Sequence, residues 1–109
     1  MNSNNLYKPF AIASNYPSIK KIGVFGSYAR GDETEDSDID ILIDYDETAD
    51  DYIYEMGDFM EDIEQSFDQK IDYVTLHGLM KSSDLQFRAR VLNDVKWLYD
   101  EASDMQSNH

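Results

Sequence analysis

The sequence predicts a small α/β domain with helices packed on a short sheet, and three observations lead there. Short apolar runs rich in Ile and Val recur at 19–25, 39–43 and 71–76, each bounded by polar residues or glycine. Apolar residues then follow helical spacing at Ile53, Met56, Met60, Ile63 and Phe67, and again at Leu85, Ala89, Leu92, Val95 and Tyr99. The chain has 109 residues, 41% of them hydrophobic and 13% aromatic, which is one domain's worth with a real core.

The elements follow in order. Met1 to Asn5 is polar and reads as frayed, within an N-terminal segment 1–18 that is partly flexible. Pro9 and Pro17 bracket Phe10 to Tyr16, which leaves room for at most a short helix. Ile19 to Phe25 is a strand that ends at Gly26-Ser27, where a loop or helix can start. Asp32 to Ser37 is an acidic loop, and Ile39 to Ile43 is a second strand, apolar enough to be central. Thr48, with Asp51 three residues on, resembles a capping box at the head of the long helix over 53–67, which Gly57 weakens slightly. Ile71 to Leu76 is a third strand. After His77-Gly78 the spacing predicts a last helix of roughly four turns, with Trp97 and Tyr99 near its end as core or interface aromatics. The main domain is expected over 19–100 and a frayed tail over 101–109, including Ser103 to His109.

Composition excludes several functions. With 9 Lys+Arg against 23 Asp+Glu the net charge is −14, which disfavours direct nucleic-acid binding through phosphates and adsorption to anionic lipid. There are no cysteines, hence no thiol nucleophile, disulfide or Cys-based zinc site, and the composition suits a reducing cytoplasm. No apolar run approaches the length of a membrane span, and the N-terminus lacks a signal-peptide pattern. The stretch from Gly31 to Gln69 holds 17 of the 23 acids and no Lys or Arg. A solvated acidic face accounts for most of them, but not for Asp40, which interrupts an apolar run.

The first half carries the chemistry. Gly26-Ser27-Tyr28-Ala29-Arg30-Gly31 follows a strand, and a Gly-Ser turn opening a helix suits a phosphate. It is not a P-loop, because Gly31 is followed by Asp32-Glu33, and the dinucleotide G-x-G-x-x-G spacing is absent. Asp38 and Asp40 stand two apart on the second strand, so they share one face about 6–7 Å apart. Like charges so close to a core call for a cation, and Mg²⁺ prefers carboxylate oxygens while keeping positions for water and phosphate. Asp72, in Lys70-Ile71-Asp72-Tyr73-Val74, completes the cluster if the third strand lies beside the second. Asp36, Asp38, Asp40 and Glu47 also match four positions of an EF-hand loop, but Ile41 stands where that loop needs glycine. Arg30 could instead pair with Asp32, Glu33 or a neighbouring helix, Asp72 could be an ordinary surface acid, and His77 reads as a turn residue. Tyr52 and Tyr54 suit a core edge or a partner contact.

Taken together, Ser27, ten residues, then Asp38-Ile39-Asp40 resembles the G-S-x10-D-x-D signature of polymerase β-like nucleotidyltransferases. The stretch GSYARGDETEDSDIDILID is similar to the minimal nucleotidyltransferase (MNT) family, densely so over Lys20 to Tyr45. KIDYVTL resembles that family's third-carboxylate strand, and VLNDVKWLYDE its C-terminal helix. The N-terminus departs from the family's longer amphipathic helix. The resemblance implies a nucleotidyltransferase fold with a small mixed sheet of three or four strands (α+β). It implies that Asp38 and Asp40 hold Mg²⁺ and, through it, ATP. It gives Asp72 a second Mg²⁺ or the attacking hydroxyl's proton, and gives Gly26, Ser27 and Arg30 the phosphates. It implies transfer of AMP to a hydroxyl, expected to be a tyrosine, of a HEPN ribonuclease toxin encoded alongside, with this chain as antitoxin. The acidic charge is compatible with docking to a basic RNA-cutting protein. Two other readings stay open: an inactive antitoxin that neutralises by binding, and a small-molecule nucleotidyltransferase.

Overall fold

The computed structural model describes residues 8–102, so the expected frayed ends Met1 to Asn5 and Ser103 to His109 lie outside the described residues. Its four strands are β1 (Ile19–Phe25), β2 (Ile39–Tyr45), β3 (Ile71–Thr75) and β4 (Lys96–Asp100). The helices are α1 (Ser27–Arg30), α2 (Tyr52–Ser66), α3 (Leu76–Met80) and α4 (Leu85–Asp94). One mixed sheet runs in the order β3-β2-β1-β4. β1 is antiparallel to both of its neighbours, and β2 is parallel to β3. That arrangement is the small mixed sheet with flanking helices expected from the sequence.

Strand alternation sorts the sheet into two faces. Ile22, Val24, Ile39, Ile41 and Ile43 are fully buried on one, against Met56, Phe59 and Ile63 of α2. Phe25 and Leu42 point to the other, against Leu79 of α3 and Val91 of α4. Phe10 is also fully buried, its ring 6.2 Å from Phe59 and 5.7 Å from Phe67. Burying a side chain of this size stabilises the fold by roughly 2–3 kcal/mol. Between Pro9 and Pro17 lies a short 3₁₀ helix, Ala11–Asn15, within the length the two prolines allow. Two acids of α2 tie this segment down. Tyr16 donates to Asp62 at 2.6 Å, and the Ser18 amide and hydroxyl both donate to Glu55 at 2.9 and 2.8 Å.

The structure corrects four expectations. The last helix starts at Leu85 as expected but stops at Asp94, short of four turns. The chain makes two shorter helices, α3 and α4, and then the edge strand β4, so Trp97 and Tyr99 sit on a strand and VLNDVKWLYDE is helix followed by strand. The β-branched and aromatic run Val95, Trp97, Leu98, Tyr99 gains more by pairing with β1 than by continuing the helix. Thr48 does not cap α2: its amide and hydroxyl bond Asp46, and Asp51 occupies the cap position. Ile53 is 65% exposed, although Met56 and Ile63 of the expected stripe do face the core, where Phe59 joins them. The third strand stops at Thr75, one residue short of the expected end, and Leu76 opens α3, where Thr75 accepts from Gly78 N–H as the cap.

Candidate active site

The turn after β1 shapes the site. Gly26 has φ +74° and ψ −149°, backbone angles that essentially only glycine adopts without strain. Its carbonyl accepts from the amides of Ala29 and Arg30, which starts α1 at Ser27. Gly31, with φ +83°, closes that single turn. A Cβ on Gly26 would collide with the Asp40 carboxylate, so the glycine lets the turn lie directly against the acid.

The sheet assembles the carboxylates. Asp40 is opposite Phe25 in β1 and opposite Asp72 in the parallel partner β3. Asp38, two residues before Asp40, belongs to the same face by alternation. Asp40 is half-buried, and its carboxyl is pushed above the usual range by burial first, then by Asp72 and Asp38, while Arg30 opposes the shift. These acids therefore feel one another across the strands. Asp72 is partly exposed, with Lys70 Nζ at 3.6 Å from Oδ1. Among the described residues no three acidic or imidazole side chains converge into a ready-made metal cage. The donor set nevertheless fits Mg²⁺, which takes one or two carboxylates and completes its shell with water and phosphate. The like-charge crowding at Asp40 fits a cation for the same reason.

Beside Asp40 and Gly26 opens a cleft of about 270 Å³. Its far wall is α4, which contributes Phe87, Arg90, Val91 and Asp94. Sequence reasoning missed this wall. The four stand at i, i+3, i+4 and i+7, one helical face, but two of them are charged and hide the stripe. Arg30 also lines the cleft, and it is paired twice, with Asp32 at 3.3 Å and with Asp94 of α4 at 3.1 Å. Both pairs fall within the alternatives weighed for Arg30 from sequence. His77 stands at the opposite end of β2, 3.3 Å from the Tyr45 carbonyl and near Asp44 and Glu47, away from the carboxylates.

A mixed four-stranded sheet with Asp40 on β2, Asp38 just before it, Asp72 in register on β3 and a glycine turn against Asp40 matches the nucleotidyltransferase arrangement that the sequence resemblance implies. The chain belongs to the Polymerase beta, Nucleotidyltransferase family, whose profile matches residues 9–104. It is 40% identical over 70 residues, 62% of this chain and 76% of the other, to the candidate protein adenylyltransferase MJ1215 of Methanocaldococcus jannaschii. A solved toxin–antitoxin structure with AMP-PNP superposes with a TM-score of 0.61 at 26% identity, covering 95% of this chain and 77% of that one. A solved candidate minimal nucleotidyltransferase gives a TM-score of 0.64 at 22% identity, over 88% of this chain and 95% of that one, and so shares the fold. The resemblance to minimal nucleotidyltransferases read from the sequence is thereby borne out.

Proposed function

We propose that this nucleotidyltransferase transfers AMP from ATP to a hydroxyl, that of a tyrosine, on a HEPN-type toxin, and so acts as its antitoxin. The observation that carries the reading is the register of Asp40 against Asp72, with Gly26 closed over Asp40. The relative named for protein adenylylation and the toxin–antitoxin neighbour with a nucleotide analogue support the donor, the acceptor class and the biological role.

Asp38 and Asp40 are the residues that would hold Mg²⁺, and Asp72 would share a second ion or take the acceptor's proton. Bound there, Mg²⁺ would neutralise phosphate charge and polarise the α-phosphate. Gly26 lets the phosphates approach the backbone, and Ser27 presents an amide and a hydroxyl at the start of α1. Arg30 lines the cleft and would meet the outer phosphates only by releasing one of its carboxylate partners. The acceptor oxygen forms a bond to the α-phosphorus as the bond to pyrophosphate breaks, and the hydroxyl proton passes to a carboxylate or to water. The test is release of pyrophosphate from ATP with the partner present. It should require Mg²⁺ and vanish in Asp40→Asn; release that persists in that variant would refute the reading.

A further inference from the structure

The chain has three arginines, and the structure treats them differently. Arg30 is held by the carboxylates of Asp32 and Asp94. Arg88 donates to the Met80 carbonyl at 2.9 Å. Arg90 has no ion pair or hydrogen bond among the described residues, although acids outnumber basic residues 23 to 9 in this chain. It is exposed, yet it lines the same cleft as Asp40 and Gly26.

We propose that Arg90 binds the triphosphate of the incoming nucleotide, a contact that Arg30 cannot make without giving up a carboxylate. The inference rests on the nucleotide reading of the site and assigns it a residue the motif does not contain. A guanidinium left unpaired in so acidic a chain is available to an anion, and its planar fork matches phosphate oxygens in pairs. The cleft is graded to suit such a ligand. Phe25 and Phe87 meet edge to face at 6.4 Å and make an apolar side, while Arg90 puts charge on the wall from α4. The Arg30–Asp94 pair has a matching role. It ties the end of α4 to α1, and Asp94 lies one helical turn beyond Arg90, so the pair positions the helix that presents Arg90.

The test is titration calorimetry of the full chain with Mg-ATP and, separately, with Mg²⁺ and inorganic tripolyphosphate. Arg90→Gln should weaken both ligands roughly 10- to 100-fold, the usual effect of losing a hydrogen bond to a charged group. Arg90→Lys should recover part of the loss. Because Arg90 is exposed and unpaired, both variants should melt at the wild-type temperature without ligand. Equal affinities in wild type and Arg90→Gln would overturn this assignment alone. A loss of affinity accompanied by a lower Tm would also overturn it, since Arg90 would then be structural. A wild-type protein that binds neither ligand would overturn the nucleotide reading and this inference with it.

Discussion

Replacing Gly26 with alanine links the fold to the site more tightly than any other single change. The backbone there has φ +74° and ψ −149°, and holding a side-chain-bearing residue in that region costs on the order of 1–3 kcal/mol. The new Cβ would also collide with the Asp40 carboxylate, so the turn or the acid must shift. Adding a modest overpacking cost, we expect a loss of about 2–3 kcal/mol. For a domain of this size that lowers Tm by roughly 10–20 °C. Moving Asp40 by an ångström should in addition cut nucleotidyl transfer about 100-fold. Two controls separate the causes. Gly31 has φ +83° but open space around it, so Gly31→Ala should cost only about 1–2 kcal/mol. Gly57 lies within α2 with nothing near its Cβ direction, so Gly57→Ala should stabilise by about 0.5–1 kcal/mol. The assay is thermal melting of the three variants followed by transfer measurements at a temperature where all are folded. A Gly26→Ala protein as stable and active as wild type would refute the reasoning.

Two further outcomes follow from the same geometry. Asp40 has a raised carboxyl pKa, so the folded state binds its proton more tightly than the unfolded state does, and ionising it costs stability. In metal-free buffer, Asp40→Asn should therefore melt like wild type well below pH 3.8 and above it once the acid is ionised; a variant that melts lower at neutral pH would give Asp40 a packing role instead. Ser27→Ala should leave Tm unchanged and slow transfer roughly 10- to 100-fold, the effect of one lost hydrogen bond to a charged group, and an unchanged rate would reduce the turn to a structural device.

The sheet and its carboxylates were legible because their signals are local. Ile39, Ile41 and Ile43 mark β2 by alternation, and the acids between and before them fall on the opposite face without any tertiary knowledge. Asp72 was legible as an acid in an apolar run, but whether its strand lies beside β2 was left as a condition, which the parallel pairing meets by setting Asp72 opposite Asp40. Beyond the first turns of α4 the chain was not legible. Leu85, Leu92 and Tyr99 keep helical spacing, yet Leu85 is 60% exposed and the chain leaves the helix at Val95. The inward face of α4 runs Phe87, Arg90, Val91, Asp94, where two charged residues break the apolar pattern because they line a cleft rather than a core. In α2 the expected stripe held at Met56 and Ile63, with Met60 and Phe67 packed against the core, and failed at its first residue. Ile53 looked like core and Phe59 was passed over, and only packing against Phe10 and Tyr16 decides which stripe faces inward.

The central claim, covalent modification of a partner by the carboxylate site, is tested most directly by intact-mass measurement. The proposed HEPN-type partner would be incubated with substoichiometric protein, ATP and Mg²⁺. The account predicts that the partner gains one or more adenylyl units with wild type, and none with the folded Asp38→Asn, Asp40→Asn, Asp72→Asn variant. A partner whose mass never changes, but whose toxicity is neutralised equally by both proteins at stoichiometric levels, would contradict it.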